Sequence, residues 1–287
     1  MKVITDLSEI LPVLVGAFLV AALGSFVLTP VVRRLATRYD VVDLPDARRV
    51  NVRPIPRGGG IAVASAFILV AVAVLVIDGG AEVLRVPTSV GPGEVAALLV
   101  GGVVAALIGA LDDYFDLRAR LQLAGQVGLA IFAVVLGISI EFVNNPLTDG
   151  EITFPDAIAA VFTAFWIVGM INSINWIDGL DGLSSGIGLI AAATLGLISL
   201  TTAAGPAGQP IVAVLCFALA GALLGFLRWN FHPASIFAGT SGVMFVGYTL
   251  ALLSILGTAK VAVALLVLGV PIIDTFWIIV RRVAARK

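Results

Sequence analysis

The sequence predicts an all-α, polytopic transmembrane helix bundle of about nine spans, with the N-terminus outside and the C-terminus cytoplasmic. Three observations predict it. The 287 residues are 60% hydrophobic and 12% charged, where a soluble domain carries about 25% charged residues, and mean hydropathy is +1.12. The apolar residues are gathered into runs long enough to cross a bilayer, which takes about 20 residues of helix. Lys and Arg fall in alternate loops, as they do when one face of a multi-pass protein is cytoplasmic. The net charge of −1 says little here, because sidedness matters more than the sum. Strand-like alternation is absent, which argues against a barrel, and no internal repeat stands out. A single integral-membrane domain over residues 1–287 is expected.

Nine runs are candidates: 11–32, 61–77, 94–111, 121–138, 155–171, 184–201, 209–227, 242–257 and 259–280. Each reads as a helix, since backbone groups in lipid must bond within their own segment. The first is too long for a signal-peptide core and is followed by Arg33-Arg34, which retains it as an anchor. The loop after it holds Arg33, Arg34, Arg38, Arg48, Arg49, Arg53 and Arg57. The third run ends on Asp112-Asp113-Tyr114-Phe115-Asp116, followed by Arg118 and Arg120. The fifth ends on Asn172-Ser-Ile-Asn175-Trp-Ile-Asp178-Gly-Leu-Asp181-Gly-Leu183. The seventh contains the single Cys216, which excludes an internal disulfide, and ends on Arg228-Trp229-Asn230-Phe231-His232-Pro233. Arg281, Arg282, Arg286 and Lys287 follow the ninth. Fourteen of the seventeen basic residues therefore share one side, and only Lys2, Arg85 and Lys260 fall on the other.

The chemistry falls on that same positive side. Ionisable groups beside a membrane core are expensive, so clusters of them read as functional. Asp112 and Asp113 could merely cap a helix end and face water. With the central motif on the same face, a functional reading is stronger. Carboxylates crowded together repel unless something neutralises them. A hard divalent cation does so, and Mg²⁺ takes one or two carboxylates plus substrate phosphates. In the central motif, Gly179 and Gly182 loosen the backbone, so a helix end with Asp178 and Asp181 in a cleft is expected. The first loop reads Arg53-Pro-Ile-Pro-Arg57-Gly58-Gly59-Gly60. Its arginines suit anionic lipid head groups or a bound phosphate, and glycines opening a helix let amides approach an anion. The triplet is equally compatible with close helix packing. His232, the only histidine, reads as a structural hydrogen-bonder or as a functional group. Trp229 and Phe231 read as interfacial anchors. A cytoplasmic site suggests a soluble co-substrate such as a nucleotide derivative.

These motifs, in this order and sidedness, resemble the polyprenyl-phosphate N-acetylhexosamine-1-phosphate transferases of glycosyltransferase family 4. The matching text is Asp43-Leu-Pro-Asp46, Arg53-Pro-Ile-Pro-Arg57-Gly-Gly-Gly60, Leu111-Asp-Asp-Tyr-Phe-Asp-Leu117, the Asn172 to Leu183 motif, Asn230-Phe-His-Pro-Ala-Ser-Ile-Phe237 and Pro271-Ile-Ile-Asp274-Thr275. The Asn-Phe-His-Pro-Ala wording is closer to the undecaprenyl-phosphate GlcNAc-1-phosphate branch than to the muramoyl-pentapeptide branch. The resemblance implies transfer of a sugar-1-phosphate, GlcNAc-1-phosphate foremost, from a UDP-N-acetylhexosamine to undecaprenyl or another polyprenyl phosphate, with release of UMP. It implies Mg²⁺, with Mn²⁺ as a substitute, and a role in cell-wall or surface-polysaccharide synthesis. Asp112, Asp113 and Asp178 are the candidate catalytic residues, and Asn175 matches a metal ligand. Arg48, Arg57, Gly58, Gly59, Asn172, Asp181, Asn230 and His232 are the candidate substrate-binding residues.

Two departures from the family pattern stand out. Gly239-Thr240-Ser241-Gly242 places Thr240 where the family carries a metal-binding aspartate. The family also continues past Arg281-Arg282 into a histidine-rich cytoplasmic loop and further spans, which this chain is expected to lack. The partners expected are thus the UDP-sugar, the carrier lipid and the membrane, with no nucleic acid and with a homodimer compatible. Two other functions fit less well. A transporter would set its acids near the bilayer midplane, and a catalytically impaired membrane scaffold would explain Thr240.

Overall fold

A computed structural model of the chain describes residues 7–44, 53–81, 90–144, 151–200, 209–257, 277, 280 and 281. Eight helices account for nearly all of them: α1 (Leu7–Arg38), α2 (Gly60–Ala81), α3 (Pro92–Phe115), α4 (Ala119–Val135), α5 (Asp156–Ile177), α6 (Leu183–Ser199), α7 (Pro210–Asn230) and α8 (Gly239–Leu256). Each coincides with one of the first eight expected runs. Six are long and apolar enough to cross a membrane. The other two, α4 and α6, are apolar but shorter, at 17 residues each. The ninth run lies outside the described residues, apart from 277 and 280. The molecule is an all-α, multi-pass membrane helix bundle.

Burial sets the order of layers. In α7 and α8, 83% of the span is buried, against 28% in α1. These two helices therefore form the centre. The surrounding helices are α1, α2 and α6 on α7, with α3 and α5 on α8. The outer helices turn large apolar side chains outward, among them Leu19, Leu23, Leu69, Leu107 and Phe165, as lipid-facing helices do. The inner seam is packed by Phe67, Phe226, Phe245 and Tyr248. Tyr248 buries its ring and donates its hydroxyl proton to the Ala97 carbonyl at 2.9 Å.

Two features depart from the sequence expectation. First, α1 runs on to Arg38, so Arg33, Arg34 and Arg38 ride on helix and not on a loop. Second, the chain is not purely helical. Strands β1 (Val42–Asp43) and β2 (Ile55–Pro56) pair antiparallel, as do β3 (Phe142–Asn144) and β4 (Glu151–Thr153). The reason at β2 is local. Pro54 and Pro56 lack amide donors and bias their neighbours away from helix. The extended segment then offers its free carbonyl elsewhere, and Pro56 accepts the Phe237 amide at 2.8 Å.

Candidate active site

The alternating course of the chain brings the ends of α3, α5 and α7 and the starts of α2, α4, α6 and α8 to one rim, and hydrogen bonds tie them there. Gly59 and Gly60 donate their amides to the carbonyls of Phe237 and Ala238, at 2.9 and 2.8 Å. This joins the start of α2 to the start of α8. The approach is so close that a Cβ on Gly60 would lie 2.0 Å from the Gly242 backbone. The glycine triplet therefore serves close packing. The amides of Gly59 and Gly60, expected as an anion cradle, are already bonded.

Asp113 sits at the centre of this junction. It is only 3% exposed, and its two oxygens accept the amides of Thr240 and Ser241 at 2.8 and 3.0 Å. Those amides belong to the first turn of α8, whose donors have no partner within the helix. Asp113 thus does from α3 what an N-cap side chain does from its own helix. Gly239, at φ +71°, makes room for it: a Cβ there would stand 2.6 Å from both Asp113 oxygens. Arg57 is near enough to act on Asp113 electrostatically, and its buried Nε has no hydrogen-bond partner among the described residues.

Asp112, 4% exposed, turns the other way. Its Oδ1 accepts the Leu117 amide at 3.0 Å and the Gln122 side-chain amide at 2.7 Å. The chain turns there through Asp116 in the left-handed region, at φ +52°. One helical turn further along α4, Gln126 accepts the Asn172 side-chain amide at 2.6 Å. The wall of α4 thus fixes one candidate residue on α3 and another on α5. Both aspartates being buried, neither is a solvated helix cap.

The central motif folds as its glycines suggest. Helix α5 ends at Ile177, Asp178 follows as its C-cap, and Gly182 turns the chain into α6 at φ +74°. Asp178 accepts a short hydrogen bond from the Ser184 hydroxyl. Burial pushes its carboxyl up to about 7 from the ordinary 3.8; the Ser184 bond pulls it down, and the charge of Asp113 adds to the rise. Asp181 bonds His232 Nδ1 at 2.8 Å and accepts the Ala234 amide at 3.0 Å. His232 itself is 76% exposed. Asn230 is buried; it accepts the Ser185 hydroxyl at 2.9 Å and donates to the Ile236 carbonyl at 3.1 Å.

The rim therefore gathers Asp112, Asp113, Asp178, Asp181, Arg57, Gly58, Gly59, Asn172, Asn230 and His232. Asn175 lies in the last turn of α5, and its carbonyl accepts the Asp178 amide at 3.3 Å. Arg48 lies outside the described residues, as do Asp46 and Asp274. The sequence reading missed Gln122, Gln126, Ser184 and Ser185. For the two glutamines a signal existed: a polar pair four residues apart in an apolar helix shares one face.

For a divalent cation, the donors fit in kind. All are oxygens, and the repulsion between Asp113 and Asp178 is what a cation relieves. Each Asp113 oxygen keeps a lone pair after accepting one amide. Among the described residues no three Asp, Glu, His or Cys side chains form a cage, so an ion here would depend on phosphate oxygens and water, as Mg²⁺ commonly does.

The structure thus defines a class of protein, a multi-pass membrane helix bundle with a buried acid–amide cluster at one rim. Comparison with known proteins makes the class specific. Residues 95–258 match glycosyl transferase family 4. The probable undecaprenyl-phosphate N-acetylglucosaminyl 1-phosphate transferase of Bacillus subtilis (strain 168) is 35% identical over 285 residues, covering 96% of this chain and 73% of that protein. The decaprenyl-phosphate N-acetylglucosaminephosphotransferase of Mycolicibacterium smegmatis is 34% identical over 290 residues, 94% and 70% of the two chains. The undecaprenyl-phosphate alpha-N-acetylglucosaminyl 1-phosphate transferase of Thermotoga maritima is 30% identical over 270 residues, 93% and 74%. The chain belongs to glycosyl transferase family 4, in the branch of the undecaprenyl-phosphate N-acetylglucosaminyl 1-phosphate transferases.

Proposed function

We propose that this protein transfers GlcNAc-1-phosphate from UDP-GlcNAc to a polyprenyl phosphate at the cytoplasmic face of the membrane, in the lipid-linked step of cell-wall or surface-polysaccharide synthesis. The observation that carries it is the convergence of Asp112, Asp113, Asp178 and Arg57 on one rim of a membrane bundle. A phosphate oxygen of the carrier lipid attacks the β-phosphorus of UDP-GlcNAc. The bond from that phosphorus to the bridging oxygen breaks, UMP leaves, and a lipid-linked pyrophosphoryl sugar forms.

The residues divide the work by what already holds them. Arg57 offers its guanidinium to a phosphate, forked and always charged. Asp113 fixes the α8 rim, both its oxygens being engaged by backbone amides. Asp178 has one hydroxyl partner and a carboxyl near neutrality, which suits it to take the remaining proton of the carrier phosphate. Asp112 and Asn172, braced by Gln122 and Gln126, line the approach. Asp113, Asn175 and phosphate oxygens would hold Mg²⁺, which supplies charge neutralisation on the pyrophosphate. Purified full chain with UDP-GlcNAc, undecaprenyl phosphate and Mg²⁺ should release UMP, and excess EDTA should stop it. Release equal to that of Asp178→Asn, or undiminished in EDTA, would overturn the reading.

A further inference from the structure

Beside the acids, the same rim carries two arginines that no carboxylate of the described residues pairs with. Arg33, near the end of α1, and Arg228, in the last turn of α7, both lie over the Trp229 ring, 5.5 and 5.7 Å from its centroid. Trp229 is fixed in place: its indole N–H donates to the Phe26 carbonyl at 3.1 Å, and the Phe26 ring lies at 5.4 Å. Among the described residues neither arginine forms an ion pair. Next to them opens a cleft of about 590 Å³, lined by Leu224, Leu227, Arg228, Trp229, Phe231, His232, Pro233 and Ser235. Of these, His232 is the residue that bonds Asp181. Leu224 and Phe231 are exposed, at 42% and 65%. None of Asp112, Asp113, Asp178 and Arg57 lines it.

We propose that this cleft at the end of α7 binds an anionic phospholipid of the surrounding bilayer, with Arg228 and, from across Trp229, Arg33 on its phosphate and an acyl chain along Leu224, Leu227 and Phe231. The chemistry selects this occupant by two requirements that coincide. Both guanidiniums lie over the indole at cation–π distance, and an arginine so placed still has N–H groups to offer a phosphate. The apolar wall beside them needs a chain, which a soluble phosphate ester does not have. A zwitterionic lipid brings its own ammonium and gains less from two cations. A phosphate in this cleft lies beside His232, which bonds Asp181, but faces none of Asp112, Asp113 and Asp178, so the occupant is a resident lipid at the edge of the site and not the phosphate that reacts. The proposal does not depend on the transferase reading.

The test uses the full chain purified in detergent and offered phosphatidylglycerol and phosphatidylcholine of matched chains in equal amounts, with retained lipid counted by native mass spectrometry. Phosphatidylglycerol should be retained in preference. The double substitution Arg33→Gln, Arg228→Gln should lower that preference about 30-fold, the ratio that two surface charges at about 1 kcal/mol each imply. A second measurement needs no arginine variant. Brominated phosphatidylglycerol should quench more tryptophan fluorescence than brominated phosphatidylcholine, and Trp229→Phe should abolish the difference. Equal retention of the two lipids, a preference that survives the double substitution, or equal quenching would each overturn the site. So would displacement of phosphatidylglycerol by an equimolar amount of undecaprenyl phosphate, which would assign the cleft to the carrier lipid.

Discussion

Replacing Asp113 should damage the fold, whereas replacing Asp178 should not. Asp113 accepts two amides of the first turn of α8 at 2.8 and 3.0 Å in a site 3% exposed. Asp113→Asn keeps one acceptor oxygen and turns an NH₂ toward the other amide. That loses a hydrogen bond to a charged group, about 1.5–3 kcal/mol, and leaves a buried N–H unpaired, about 1–3 kcal/mol. Because local rearrangement recovers part of this, we expect about 2–4 kcal/mol. At about 2–4 °C per kcal/mol for a chain of this class of size, the melting temperature should fall by about 5–15 °C. Asp178→Asn keeps an acceptor for the Ser184 hydroxyl and removes a charge that burial opposes, so its melting temperature at pH 7 should not fall. Thermal unfolding of both variants in detergent decides. If Asp113→Asn melts with the wild type, or if the two variants lose stability alike, Asp113 is not the clasp on α8.

Four further outcomes are expected. Between pH about 4 and about 7, Asp178 is protonated in the fold and ionised in the unfolded chain, so its contribution to stability falls as pH rises through that window. Asp178→Asn should flatten the fall in melting temperature between pH 5 and 7.5, and an unchanged slope would refute it. At Gln122, glutamate should impair UMP release more than methionine does, because it sets a carboxylate against Asp112; at Gln126, glutamate should impair it less, because it keeps an acceptor for Asn172. The same ranking at both positions would reduce the glutamines to space-fillers. In a Cys216→Ala background, Asp156→Cys should react with an impermeant thiol reagent in intact cells and Arg53→Cys only after lysis; the reverse would invert the topology. Thr240→Asp should lower the half-saturating Mg²⁺ concentration if an ion lies beside Asp113, and an unchanged or higher value would reject a vacant ligand position there.

Helix positions were legible because lipid enforces them: a run such as 61–77 has no alternative to a helix once it leaves water. The acids were legible for the same reason, since Asp112, Asp113 and Asp178 are conspicuous at the ends of apolar runs. Their assignments within the cluster were not. Whether a carboxylate is a proton carrier or a clasp depends on which donors meet it from distant segments, and Asp113 meets Thr240 and Ser241 across more than a hundred residues. The glycine triplet stayed open between two readings for a related reason. Amides opening a helix can serve an anion or a neighbouring carbonyl, and only the position of Phe237 and Ala238 shows that Gly59 and Gly60 serve the latter. The short pairing of β1 with β2 was hidden because two residues of extended backbone leave no periodicity to read.

The distribution of bonds around the rim explains how one cluster can be both rigid and reactive. The segment leading into α8 is held from three sides: by the Gly59 and Gly60 amides, by Asn230 bonding the Ile236 carbonyl, and by Asp113 on the first turn. Each of those groups bonds the backbone of that segment, and a change of charge at Asp113, the titratable one, would loosen α8. The turn from Asp178 to Gly182 is bound more lightly. Gly179 and Leu180 are exposed, Asp178 rests on one hydroxyl, and Asp181 reaches across to an exposed histidine and one amide. A charge change at Asp178 therefore disturbs a single side-chain bond, while the same change at Asp113 would disturb a helix. That contrast is the reason the proposed mechanism gives the proton to Asp178 and not to Asp113.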